Sequence, residues 1–200
     1  MVQKFEKEKT RIDRNNLKRK ILDFYEKSSI ELKEEKEVIS FIKKYGLQIF
    51  PYDFVFKYHK SKIKVFLDEE IDLKYVIHND KKLYFKRSLT VDAIQSLYRG
   101  LLIDQDDKSP HKYLDENFQL QSSDIVVDAG VAEGNFSLEI IERVKFIYLF
   151  ECDQEWMEPL KATFSPWKEK VEIINKKIGS KNTSEEIRLD TFFDKQRFTF

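Results

Sequence analysis

Cysteine is nearly absent: Cys152 is the only one in 200 residues. That excludes an intrachain disulfide and any metal site built from several cysteines. An excess of charge is also missing. Lys and Arg total 36, Asp and Glu total 36, and the formal net charge is zero. The chain therefore offers no electrostatic ground for a nucleic-acid partner, which a basic excess would supply. No apolar run approaches the roughly 20 residues that span a bilayer, so no integral membrane segment is expected. The opening MVQKFEKEKTRIDR is charged throughout and lacks the apolar stretch of a secretory signal. Neither an internal repeat nor a low-complexity tract is evident. These absences together predict a soluble cytoplasmic protein. What is present is core-forming material: 41% hydrophobic residues, with 17 Phe and 9 Tyr. The length suits one domain, or one domain with a small extension.

Of only five glycines, Gly130 and Gly134 fall in one turn. Before them, Ile125-Val126-Val127 is a β-branched run, as expected of a strand covered on both faces of a parallel sheet. The glycines allow a tight turn. After them, Asn135 can cap a helix in which Leu138, Ile141 and Val144 share a face. Such a turn presents backbone N–H groups beside the carboxyl end of a strand, where open α/β sheets bind nucleotide-like ligands. A second apolar run, Phe146-Ile147-Tyr148-Leu149-Phe150, ends in Glu151. An acid there, about 20 residues after the first glycine, can accept both ribose hydroxyls of an adenosine ligand.

The segments VVDAGVAEGNFSL, IYLFECDQEW, VEIINKKIGS and IRLDTFF resemble the S-adenosylmethionine-dependent methyltransferases of the FkbM type. The resemblance covers roughly the second half of the chain. It implies a Rossmann-like class I methyltransferase sheet and methyl transfer to an oxygen of a small-molecule or glycan acceptor. It also implies S-adenosylmethionine as cofactor. Asp128 would orient the turn or meet the methionine end of the cofactor. Gly130, Val131, Ala132, Glu133, Gly134, Asn135 and Phe136 would surround that end. Glu133 would pair with the cofactor's ammonium or stand as a solvated acid. Glu151 would hold the ribose, with Cys152 and Asp153 beside the adenosine and Ile178 and Gly179 near the adenine. Asp190 matches the family's Leu-Asp pair. Ala132 stands where many methyltransferases carry a further glycine, and Glu133 puts a charge inside the turn.

Three regions are expected. Residues 1–46 read as a charged helical extension. Leu17, Ile21, Leu22 and Tyr25 lie at helical spacing, and Ser28 with Glu31 fits a capping box. Val38, Ile39, Ile42 and Tyr45 would pack inward in a second helix, which Gly46 ends. This extension either packs on the domain or serves as a partner-binding arm. Residues 47–103 read as a small β-hairpin and helix region. Leu47 to Tyr58 and Ile63 to Leu67 are candidate strands. Tyr75-Val76-Ile77 and Leu83-Tyr84-Phe85 flank a turn-forming stretch, so a hairpin is expected, as a lid or a structural extension. Thr90 caps a helix over residues 90–103. Residues 104–200 read as the cofactor-binding half of a methyltransferase domain.

Asp104, Asp106 and Asp107 match a metal-binding loop in composition only. No glycine sits where an EF-hand requires one, so the loop reads as solvated and no metal is expected. His111 and Tyr113 are candidates to line the cofactor site. Cys152 has no basic partner that would activate it as a nucleophile. Trp156, Leu160 and Phe164 recur every four residues in a helix near 154–164, and Pro159 is tolerable only in its first turn. Val171 to Ile174 is a third parallel strand, Ile187 to Asp190 a short extended piece, and Phe198-Thr199-Phe200 the start of a fourth strand. The resemblance implies seven strands. The chain is thus expected to be a piece of a longer protein, or of different architecture. A completing polypeptide or a second copy is the expected partner, because unpaired strand edges attract one. Two rival readings stand beside methyl transfer. One is a non-catalytic or partner-binding module. The other is an NAD-dependent oxidoreductase, which the Gly-x-x-x-Gly spacing disfavours.

Overall fold

The computed structural model describes residues 2–28, 32–114 and 118–195, with side chains for 13–28, 32–114 and 118–194. The chain divides into two compact units: Met1–His59 with Leu102–His111, and Lys60–Leu101 with Lys112–Phe200.

The first unit begins with helices α1 (Val2–Lys27) and α2 (Lys33–Tyr45). Gly46 ends α2 with φ 87°, and its N–H donates to the Ile42 carbonyl. Ile39, Phe41 and Ile42 are buried on α2, whereas Tyr45 is 41% exposed. Phe41 thus takes the inward position expected of Tyr45. Leu32 precedes α2 without a side-chain cap. The Ser28 hydroxyl instead donates back to the Phe24 carbonyl, and Glu31 lies outside the described residues.

Residues 47–58 do not form the expected strand. Asp53–Lys57 is a 3-10 turn, and Val55 is buried with Phe41 and Ile103 while Phe50, Phe54 and Tyr58 pack around them. The acid loop is also not simply solvated. Asp106 is buried. It accepts hydrogen bonds from Tyr58 Oη (2.5 Å), the Lys108 amide (2.9 Å) and Lys57 Nζ (3.0 Å). Burial pushes the Asp106 carboxyl up, but these donors prevail and hold it at about 2.

The second unit contains two three-stranded sheets. β1 (Phe66–Asp68), β2 (Leu73–His78) and β3 (Lys81–Tyr84) form an antiparallel sheet in that order. Asn79 and Asp80 connect β2 to β3, with φ of 47° and 63°. Both signs suit a two-residue hairpin loop whose twist matches the strands. Helix α3 (Val91–Asp104) follows, and the Ala93 amide donates to Thr90 Oγ1 at 3.2 Å, the expected cap.

The other sheet is parallel, in the order β4 (Ile125–Ala129), β5 (Phe146–Phe150), β6 (Val171–Ile174). Between β4 and β5 lies α4 (Asn135–Ile140), and between β5 and β6 lies α5 (Met157–Phe164). Strand β4 departs from expectation: Ile125 and Ala129 are exposed and the residues between them half-buried. Its only strand neighbour among the described residues is β5. The strand with four of its five residues buried is β5. Leu138, Ile141 and Val144 are buried together as their spacing requires, and so are Trp156, Leu160 and Phe164. Pro159 falls in the first turn of α5.

β3 docks on α5, where the Tyr84 amide donates to Thr163 Oγ1 at 3.1 Å. Arg87 adds a bidentate pair with Glu158. A small parallel pair, β7 (Lys177–Ile178) with β8 (Glu186–Ile187), precedes α6 (Leu189–Lys195). Leu189-Asp190 therefore opens a helix rather than continuing an extended piece. Phe192 and Phe193 explain why: their rings meet Tyr148 edge-on at 5.4 Å, and Phe192 also meets Phe150 at 5.2 Å. The expected fourth strand at 198–200 lies outside the described residues. No helix among the described residues is long and apolar enough to cross a membrane.

His78 makes stability pH-dependent. It is buried on β2, with Nδ1 3.1 Å from Tyr98 Oη on α3 and a buried Nε2 that has no hydrogen-bond partner among the described residues. Burial, reinforced by the Lys81 charge, holds the imidazole below its ordinary 6.5. The unfolded chain therefore takes up this proton first. The His78 contribution is fully present above the unfolded value and is lost as pH falls through about 6.5, at up to about 1.4 kcal/mol per pH unit. Urea midpoints at pH 7.5 and 5.5 should fall more for the native chain than for His78→Gln. Equal falls would refute the assignment.

Candidate functional site

The site is built where β4 and β5 end side by side. Their register pairs Ala129 with Phe150, so the glycine turn and Glu151 emerge at the same edge of the sheet. The turn is left-handed at three positions: Gly130 (φ 74°), Ala132 (φ 48°) and Gly134 (φ 79°). Gly134, rather than Asn135, is the residue that caps α4, and it makes no side-chain cap. A Cβ on Gly134 would lie 3.0 Å from Phe164 Cε2 and 3.1 Å from Leu160 Cδ2, whereas one on Gly130 would meet nothing within 4 Å. The turn thus presses on α5 at its far end and faces open space at its near end.

The turn's amides are mostly used within the chain, contrary to the expectation of free N–H groups. Gly130 and Val131 both donate to the Phe150 carbonyl, at 2.8 and 3.2 Å, and Gly134 donates to the Val131 carbonyl. The Ala132 amide donates to Glu151 Oε2 at 2.8 Å. Glu151 Oε1 accepts from the Asp153 amide at 2.7 Å. Glu151 is only 7% exposed, so its carboxylate links the two strand ends as a buried brace. A carboxylate offers about four acceptor sites, so two remain for hydroxyl donors.

The other expected residues separate into groups. Asp128 accepts from Ser137 Oγ at 2.6 Å. Burial pushes its carboxyl above the ordinary range, and the Ser137 hydroxyl opposes this. Val131, Glu133 and Asn135 are buried, which removes the solvated-acid reading of Glu133. Phe136 meets the ring of Tyr113 edge-on at 4.9 Å, so Tyr113 packs on the first turn of α4. Cys152 is exposed. Asp153 caps the 3-10 turn Gln154–Trp156 and pairs with Lys86.

Ile178 and Gly179 are held by a different ladder. Ile178 pairs with Ile187, and the Gly179 amide donates to the Ile187 carbonyl at 3.0 Å. Asp190 is exposed and ion-paired with Arg188. His111 belongs to the first unit, with Nδ1 3.1 Å from Asp104 Oδ1 and its ring against Phe50. Sequence reasoning missed Ser137 and Lys86. Ser137 was findable, being on the helix that the turn opens, but nothing local marks Lys86. No group of three or more His, Cys, Asp or Glu among the described residues could hold a metal ion. No family model, curated protein or solved structure matches the chain.

Proposed function

We propose that the chain carries the cofactor-binding part of a Rossmann-like, S-adenosylmethionine-dependent methyltransferase acting on an oxygen of a small-molecule or glycan acceptor. The observation that carries this reading is the buried Glu151 carboxylate at the end of β5, hydrogen-bonded to the Ala132 amide of the glycine turn after β4. The residues fit the cofactor. The unfilled acceptor sites of Glu151 suit two vicinal ribose hydroxyls, and the backbone at Gly130 has room for a ligand to approach. Ala132 and Gly134 fix the turn, and Asp128 with Ser137 fixes the start of α4. The cofactor supplies an electrophilic methyl group. The protein's part is to hold the adenosyl end so that an acceptor oxygen can align with that group.

A second reading, a non-catalytic module, is favoured by the turn's own hydrogen bonds, since four of its amides are already engaged. Titration calorimetry with S-adenosylmethionine and with NAD tests the choice. Saturable binding of S-adenosylmethionine and none of NAD is the expected result. Binding of NAD alone would overturn the methyltransferase reading, and binding of neither would favour the module.

A further inference from the structure

We propose that a cleft in the first unit, between α2 and residues 51–54, is a docking site for an acidic peptide segment with an apolar anchor. This does not rest on the cofactor reading. The cleft encloses about 670 Å³. Its apolar surface is aromatic. The rings of Tyr52 and Phe54 stack 5.9 Å apart and only 15° from parallel. Tyr45, on the facing helix, stays 41% exposed although Phe41 and Phe56 pack against it. Large rings held rigid by their neighbours are the usual source of binding energy at an interface.

The charges at this cleft select the partner. Lys33, Lys36, Lys44 and Lys108 line it, with Glu37 and Asp53, and at its edge the Glu34 carboxylate accepts a hydrogen bond from Tyr52 Oη at 3.1 Å. Lys33 is paired with Glu37, and Lys44 lies over the Tyr45 ring at 4.7 Å. Lys36 and Lys108 have no ionic partner among the described residues. Lys36 and Lys108 are therefore the cations at this cleft left for a partner's carboxylates, and local charge of this kind sets specificity and association rate.

Length and sign decide between anionic ligands. Lys33 to Lys44 runs about 16 Å along α2 at 1.5 Å per residue. That is the reach of roughly five residues of extended peptide at 3.3 Å each, and it is longer than a single small anion. A nucleic-acid strand would bring a continuous row of phosphates past Glu37 and Asp53. A peptide can place its carboxylates at Lys36 and Lys108 and an apolar side chain against the rings.

The test uses the full chain and a fluorescein-labelled Asp-Glu-Phe-Glu-Leu-Asp peptide in about 0.15 M salt, where screening is physiological. Anisotropy should saturate with a dissociation constant on the order of tens of micromolar. A Lys-Lys-Phe-Lys-Leu-Lys peptide should bind at least tenfold more weakly. The acidic peptide should lose affinity to the same extent for the double variant Lys36→Glu, Lys108→Glu. Circular dichroism would verify folding, and Lys36→Gln with Lys108→Gln repeats the test if charge reversal perturbs it. Absence of saturation by about 1 mM, unchanged affinity in the variants, or tighter binding of hexauridylate than of the peptide would each overturn the proposal.

Discussion

Gly134→Ala is expected to destabilise the second unit by about 2–4 kcal/mol. Two effects combine. The residue sits at φ 79°, where a side chain costs roughly 1 kcal/mol. Its Cβ would also press on Phe164 and Leu160, which are 2% and 0% exposed and cannot swing into solvent. Overpacking of this kind costs about 1–3 kcal/mol. For a chain of this size the melting temperature should fall by roughly 5–15 °C. Both tryptophans, Trp156 and Trp167, lie in this unit, so their fluorescence follows its unfolding. Gly130→Ala is the internal control. It shares the positive φ but meets open space, so a loss of only about 1 kcal/mol is expected. If the two variants melt alike, the turn does not pack on α5 as described.

The contrast between the two glycines shows what the sequence could and could not convey. A tight turn was legible, because a β-branched run precedes the glycine pair and apolar residues at helical spacing follow it. The hairpin was legible for a similar reason: Asn79-Asp80 tolerates positive φ between two apolar runs. The Thr90 cap is local chemistry and was readable as such.

Tertiary choices were not legible. Phe54 and Phe56 have strand-forming character, yet their segment turns as a 3-10 helix because Val55 finds a buried place beside Phe41 and Ile103. Leu189-Asp190 looks extended until Phe192 and Phe193 dock on Tyr148 and demand a helix. The three apolar residues of β4 suggest a strand covered on both faces, but position within a sheet is fixed by partners remote in sequence. Glu151 is readable as an acid at a strand tip, whereas its grip on the Ala132 amide has no signature, since every residue other than proline carries an N–H.

That grip makes Glu151→Gln the most informative substitution at the site. Each oxygen of the native carboxylate accepts one backbone N–H. A glutamine keeps one acceptor and turns an NH₂ toward the other amide, setting donor against donor in a buried position. The stability loss should be about 2–3 kcal/mol, the cost of a buried amide left without its acceptor. If the carboxylate also takes ribose hydroxyls, affinity for S-adenosylmethionine should fall tenfold or more, since charge-assisted hydrogen bonds contribute about 1.5–3 kcal/mol. Melting curves and calorimetry on the same preparations separate the two roles. A melting temperature that does not change would remove the brace. A lower melting temperature, in a protein whose native form binds no S-adenosylmethionine, would leave Glu151 as a structural clamp alone and end the methyltransferase proposal.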